Sequence, residues 1–389
     1  MKILHTSDWH LGVKTNGIDR LDEQKKVLDE ILSNAVFENV DCVIIAGDIF
    51  NTSNPSADAE ELFFDIIEKL SDEGDRFVLV LAGNHDDPTR IEAGLPLASK
   101  HNIALIGDLD KLKVSSFNSN SMVKVIETGN GYIKIQKGEE IVTIAYLPYP
   151  SETRITEKVD GNLDYGEKVK VWSSIGSSGF SNDSLNIFVS HLFMVGSKTR
   201  NSEVKVGDLL AVTKDCLPKS DYTALGHIHT PQNLGDNIYY SGAITALSPG
   251  QTNLGINIIE TDQTKIVKIK QIKLNNIAKF EKVIVDSVNE IEEALSNFDN
   301  KDIVELEIHQ NEPLASSFVK ELKKEYPCIS TISLVRNLEE KNDSIITPRK
   351  QLDDVELFKN FYKETRGTEP SADLIEMFNL CKGEQDEAN

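Results

Sequence analysis

Five short apolar runs punctuate the first 230 positions, and each ends in a polar cluster. Lys2–Ser7 leads into Asp8-Trp9-His10, Asp41–Ala46 into Gly47-Asp48, and Phe77–Ala82 into Gly83-Asn84-His85-Asp86. Asn186–Ser190 leads into His191, and Tyr222–Leu225 into Gly226-His227-Ile228-His229. Runs this short, rich in Ile, Val and Leu and bounded by turn residues, predict buried strands. Between the first three lie helical stripes. One is Val27, Leu28, Ile31, Leu32 and Ala35 within Asp22–Glu38; the other is Leu62, Phe63, Ile66, Ile67 and Leu70 within Ala57–Leu70. Alternating strand and helix predicts an α/β layered core. In such sheets sites gather beyond the carboxyl ends of the strands, which is where the polar clusters fall.

Further on, Val123–Val125, Tyr132–Ile135 and Ile141–Ala145 are β-like, whereas Asp160–Asp183, with Gly176-Ser177-Ser178-Gly179, reads as loop around a weak helix. Ile238–Tyr240 and Gly255–Glu260 are expected to close a second sheet. Lys265–Leu274 alternates lysine with Ile and Val, as a half-exposed strand does. A break near Ile277–Phe280 opens a small α/β module: strand Glu281–Asp286, helix Val288–Phe298, strand Ile303–His309, helix Leu314–Tyr326 and strand Ile329–Leu334. Two amphipathic helices, Asp353–Arg366 and Ala372–Cys381, follow, with Ser371 as N-cap of the second. The expected division is therefore 1–276, 277–340 and 341–389.

Composition narrows the function classes. The 389 residues carry a net charge of −22, with 39% hydrophobic and 27% charged positions, which is a globular rather than a disordered profile. Such acidity argues against gripping nucleic acid by general basic charge. It leaves room for a metalloenzyme, because bound cations invert the local field. The four cysteines form no CxxC pair, so neither a zinc ribbon nor a disulfide framework is expected, and a reducing cytosol suits them. Without an apolar leader or a membrane-length stretch, the expected location is the cytoplasm.

The clusters hold the candidate chemistry. Asp8 and His10, two apart, would point the same way from an extended loop, and His227 and His229 repeat that spacing. Asp48 follows a glycine that permits a tight turn. Asn84 and His85 are adjacent and so face different ways. Asp, His and Asn-carbonyl donors without thiolate suit Mn²⁺ or Fe²⁺ better than an exclusive zinc site. Seven ligands, Asp8, His10, Asp48, Asn84, His191, His227 and His229, serve two ions if Asp48 bridges them. Two ions about 3.5–4 Å apart can activate a water and clamp phosphoryl oxygens. His85, off the ions, would stabilise the transition state or protonate the leaving oxygen. The bland reading, turn residues and satisfied histidines, has to produce all five clusters in order.

This ordered set, Asp8-Trp9-His10, Gly47-Asp48, Gly83-Asn84-His85-Asp86, Ser190-His191 and Gly226-His227-Ile228-His229, resembles the calcineurin-like metallophosphoesterases. Leu4-His5-Thr6-Ser7-Asp8-Trp9-His10-Leu11-Gly12, Ala46–Phe50 and Ala224–His229 resemble, more narrowly, the SbcD nuclease subunits. The resemblance implies a two-sheet sandwich flanked by helices, a small capping domain and C-terminal helices. It implies one ion on Asp8, His10, Asp48 and His229 and a second on Asp48, Asn84, His191 and His227, with Mn²⁺ the usual metal and His85 the catalytic histidine. It also implies DNA as substrate, cut 3′ to 5′ from ends or nicked at single strands and hairpins. The implied assembly is a homodimer within a heterotetramer, each copy docked through its C-terminal helices on an SbcC-like coiled-coil ATPase. Relatives often carry histidine or aspartate where Asn51 stands, which leaves its role open.

Minor features have bland readings. His5, His101 and His309 are expected to be structural, Trp9 to pack under the site, and Lys265, Lys268, Lys270 and Lys273 to line a solvated strand face rather than DNA. Asp86 either orients a neighbour or stabilises its turn. The rival functions are a phosphatase or small-nucleotide phosphodiesterase, against which GDIFNTS and GNHDD speak, and a non-catalytic scaffold.

Overall fold

The computed structural model describes residues 1–335 except 160, 200–209 and 276, and beyond them residues 358, 359, 362, 363, 370, 371, 374 and 375. Residues 1–336 form one compact unit and 337–389 another.

In the first unit two sheets lie face to face. The six-stranded sheet runs in the order Lys265–Lys273, Gly255–Asp262, Lys2–Thr6, Cys42–Ala46, Phe77–Leu81, Ile103–Ile106. The seven-stranded sheet runs Gln232–Gly235, Ile238–Tyr240, Tyr222–Gly226, Leu185–His191, Glu140–Leu147, Tyr132–Lys137, Lys124–Gly129. Ile3, Cys42, Ile44, Phe77 and Leu79 point into the core between the sheets, against Ile144, Ile187, Val189 and Ala224. Their strand neighbours Leu4, Val43, Ile45, Val78 and Val80 point the other way, onto helices Leu21–Phe37 and Ala57–Ser71. Burial on both faces is why these runs are apolar without alternation. Helix Ala57–Ser71 starts at Ser56, whose hydroxyl accepts the N–H of Ala59.

One expectation is corrected and another sharpened. Gly255–Asp262 pairs antiparallel with Lys2–Thr6 (Ile3 opposite Ile259), so it extends the first sheet rather than closing the second. Both its faces are occupied, with Ile259 between the sheets and Ile256 and Ile258 toward the helices. The weak helix expected within 160–183 is present as a regular one, Tyr165–Ser177, with Asp164 and Glu167 in a reciprocal capping box. Gly176 sits inside that helix for proximity: a Cβ there would fall 2.3 Å from the Gly131 carbonyl oxygen.

The small sheet, Phe280–Val285, Ile303–His309 and Ile329–Val335, is wholly parallel. Helices Ile291–Leu295, shorter than the expected Val288–Phe298, and Ser316–Glu325 cover it; Val285, Ile291, Val304, Leu306, Ile308 and Leu322 form its own core. Phe280 and Ile303 pack with Ala246 and Leu254 of the main body. In the second unit most of the two expected helices lies outside the described residues; Ser371 Oγ accepts the N–H of Leu374, as an N-cap does.

Candidate metal centre

Each polar cluster sits where a parallel strand stops and the chain turns. Contrary to the expected extended loop, Asp8 and His10 both adopt left-handed backbone (φ 53° and 46°), as do Asp48 (50°) and His227 (101°). Such φ values cost L-residues energy and persist only where surrounding contacts enforce them. Here the enforcement is visible. The N–H groups of Asp8 and His10 donate to the carbonyls of Gly47 and Asp48, both at 3.0 Å. Buried Trp9 lies between them, its Nε1–H on Thr6 Oγ1 at 3.1 Å. Gly47 (φ +93°) leaves room for the second sheet, since a Cβ would stand 2.3 Å from His191 Nδ1.

The side chains converge. Asp48 Oδ2 stands 3.5 Å from His10 Nε2 and 3.4 Å from His191 Nε2, while Oδ1 accepts the N–H of His85 at 2.8 Å. Asn84 Oδ1 lies 2.9 Å from His191 Nε2 and 2.8 Å from His227 Nδ1. His10 and His229 face each other nitrogen to nitrogen at 3.2 Å. Asp8 Oδ1 accepts the N–H of His227 at 3.0 Å. Ligand atoms of Asp8, His10 and His229 all come within 4.8 Å of one another, as do those of Asp8, Asp48 and His191, and those of His10, Asp48 and His85. All seven expected ligands are thus brought together. His85 also comes within reach of an ion, although it is exposed where Asp8, His10, Asp48 and His191 are buried.

The donor set fits divalent cations. Burial pushes His10 down to about 4 and His227 and His229 to about 3, so all three are neutral near pH 7. Two carboxylates, an amide oxygen and imidazole lone pairs then face common points. Burial, with His191 opposing it and Asp48 adding to it, lifts Asp8 to about 7. His191 and Asp48 form the exception. Burial opposes both charges, yet each holds the other ionised, with Asp48 well below the carboxylate range and His191 raised to about 9. Without an ion, a proton on His191 supplies the positive charge. Because a metal ligand must be deprotonated, divalent ions should bind more tightly as pH rises toward about 9 and should release a proton from His191 and, near pH 7, from Asp8 as well. Calorimetry in buffers of different ionisation enthalpy reads that proton; an enthalpy independent of buffer would refute the exchange.

Two glutamines without a sequence expectation, and Asp86 with one, hold these loops. From helix Leu21–Phe37, buried Gln24 donates Nε2–H to the carbonyls of Trp9 (3.0 Å) and His10 (2.9 Å) and accepts the N–H of Gly12 (3.0 Å). Gln251 donates to the His229 carbonyl at 2.8 Å. A glutamine at a core position of an amphipathic stripe was the available signal for Gln24. Asp86 ties two loops together, accepting the N–H groups of Gly83 (2.8 Å), Ile49 (3.1 Å) and Phe50 (2.9 Å). Asp86→Ala is expected to lower unfolding free energy by about 1–3 kcal/mol and ion affinity by about 10–100-fold. Denaturant titration and metal binding measure the two; unchanged values would mean the loops hold themselves.

Other expectations concern bystanders. His5 is buried between the sheets, its Nδ1 3.0 Å from the Tyr222 hydroxyl, and burial pushes it down to about 3. Lys270 pairs with Glu38 at 2.6 Å, while Lys265, Lys268 and Lys273 are exposed, and none of the four lines the cleft. His309 pairs with Glu307 at 2.9 Å, and His101 is exposed. Asn51 contributes its carbonyl, 2.9 Å from His85 Nδ1.

A cleft of about 590 Å³ opens over the centre, lined by His10, Asp48, Asn84, His85, His227 and His229 and by Phe280 and Glu305 of the small sheet. The family of calcineurin-like phosphoesterases matches residues 1–231. The SbcD subunit of the nuclease SbcCD from Bacillus subtilis (strain 168) is 31% identical, the alignment covering 100% of this chain and 99% of the relative. The corresponding SbcD subunit from Staphylococcus epidermidis is 27% identical, over 93% of each chain. A solved dimetal phosphatase from Danio rerio overlaps 71% of this chain and 99% of its own at 10% identity, with a TM-score of 0.39.

Proposed function

The chain belongs to the calcineurin-like phosphoesterases and, within them, to the SbcD family, and from that premise we propose a nuclease subunit of an SbcCD-type complex that hydrolyses DNA phosphodiester bonds at a two-ion centre. The observation that carries this reading is the position of Asp48 Oδ2, 3.5 Å from a histidine of the first strand end and 3.4 Å from one of the second sheet. A bridging carboxylate needs that position. Asp8, His10, Asp48 and His229 would hold one ion, and Asp48, Asn84, His191 and His227 the other.

Two divalent ions, when bound, supply Lewis acidity and neutralise charge on the phosphoryl oxygens. The chain does the rest. The Asn51 carbonyl can only accept, so it fixes a proton on His85 Nδ1 and leaves Nε2 to the cleft. In the imidazolium form Nε2–H is the donor to the leaving oxygen. Asp86, Gln24 and Gln251 keep the strained turns from relaxing.

The finer reading is Mn²⁺ as the ion, 3′-to-5′ exonuclease action with nicking of single strands and hairpins, and a homodimer bound to an SbcC-like ATPase. The segment 341–389 would form the docking module and 277–340 a capping domain. A cytoplasmic location suits the paired reading, and no helix among the described residues is long and apolar enough to cross a membrane. Manganese-dependent degradation of end-labelled linear duplex, alone and with the ATPase subunit, tests the activity. Turnover of nucleotide esters with intact DNA in both settings would replace it with the phosphatase reading.

A further inference from the structure

One wall of the cleft is aromatic. Tyr149 follows the Glu140–Leu147 strand, and its ring runs parallel to that of His227 (15° between planes, centroids 6.3 Å apart) and edge-on to His191 at 6.1 Å. Phe193, two residues after His191, lies 6.0 Å from His227. Tyr165 opens the helix Tyr165–Ser177 and is pinned by its hydroxyl on the Pro150 carbonyl at 3.1 Å. All three are half-buried and line the cleft.

Charge makes this wall matter. Lys14 is the one lysine or arginine among the described residues lining the cleft, and it pairs with Asp19 at 3.5 Å; Glu305 lies opposite in sign. The chain as a whole carries −22. Phosphate-by-phosphate gripping needs clustered cations, and the described residues of the cleft walls do not supply them. Stacking of unpaired bases on aromatic rings is the sequence-tolerant alternative.

We propose that Tyr149 and Phe193, backed by Tyr165, stack the base of a nucleotide flanking the scissile phosphate, so that this nucleotide enters the cleft unstacked from its neighbours. The inference rests on the nuclease reading and deepens it by naming the side chains that would receive the unstacked base. Tyr149 and Phe193 act here as binding residues.

The test pairs enzyme variants with base deletion. Wild-type protein, Tyr149→Ala, Phe193→Leu and the conservative Tyr149→Phe are assayed with Mn²⁺ on an oligonucleotide and on versions carrying an abasic residue on either side of the cut. Ion content is measured for each. Wild-type protein is expected to cut one abasic version about ten-fold more slowly. Tyr149→Ala and Phe193→Leu should cut the intact oligonucleotide about ten-fold more slowly, lose most of that discrimination and keep their ions; Tyr149→Phe should behave as wild type. Equal cutting of intact and abasic DNA by wild-type protein, or variants that slow both alike, would overturn the proposal while leaving the nuclease reading intact. Absence of any DNA cleavage by wild-type protein would instead remove the reading beneath it.

Discussion

His85→Ala should leave the bound ions in place and cut DNA about 10²–10⁴-fold more slowly, the usual contribution of a positioned proton donor. Position is what singles this residue out. His85 follows Asn84 directly, so when Asn84 turns its amide oxygen toward His191 and His227, His85 is carried to the exposed side of the turn. There its Nδ1–H rests on the Asn51 carbonyl. Its backbone N–H, which supports Asp48 Oδ1 at 2.8 Å, survives the substitution, so the bridging carboxylate stays held. The measurement is ion stoichiometry beside kcat on linear duplex. Because a His85 nitrogen also comes within 4.8 Å of His10 and Asp48 ligand atoms, loss of an ion together with activity would reassign it as a ligand. Undiminished cleavage would leave it without the role given above.

Asp48→Ala should be the more damaging change. It removes the carboxylate oxygen that stands 3.5 Å from His10 and 3.4 Å from His191, and with it the means of holding two ions side by side. Ion content is expected to fall below two per chain and cleavage to reach background. The ion-free protein should suffer as well. The proton that Asp48 sustains at His191 would be lost at neutral pH, together with the buried ion pair and the acceptor of the His85 N–H, so stability should fall in denaturant titration. Asp48→Asn keeps the shape and separates the causes: it should lose ions and activity while retaining more stability than Asp48→Ala. Full activity in either variant, with two ions bound, would exclude Asp48 as the bridge.

Much of this centre could be read from the chain alone because strand ends leave local signs. A run such as Cys42–Ala46, apolar at every position, short and bounded by turn residues, predicts a strand buried on both faces, with the polar residues after it at its carboxyl end. Seven ligand candidates followed from that pattern, as did Trp9 packed beneath the site. The chain did not disclose how Asp8 and His10 converge, because left-handed backbone at a non-glycine residue is imposed by distant partners. Here these are the Gly47 and Asp48 carbonyls and the Gln24 amide. Nor did it disclose how far the weak helix within 160–183 runs, since Gly176 signals a loop until the Gly131 carbonyl beside it is seen.

By itself the sequence determined which residues are chemically able to hold ions, and which strands carry them, because periodicity and turn chemistry act over a few neighbouring positions. Only the tertiary structure decided that Asp48 stands between two sheets, that Gly255–Asp262 borders the first strand, and that an aromatic wall faces a cleft whose described lining is poor in cations. Those relations join residues far apart in the chain, and they are set by the packing of two sheets whose carboxyl ends meet, which no local pattern encodes.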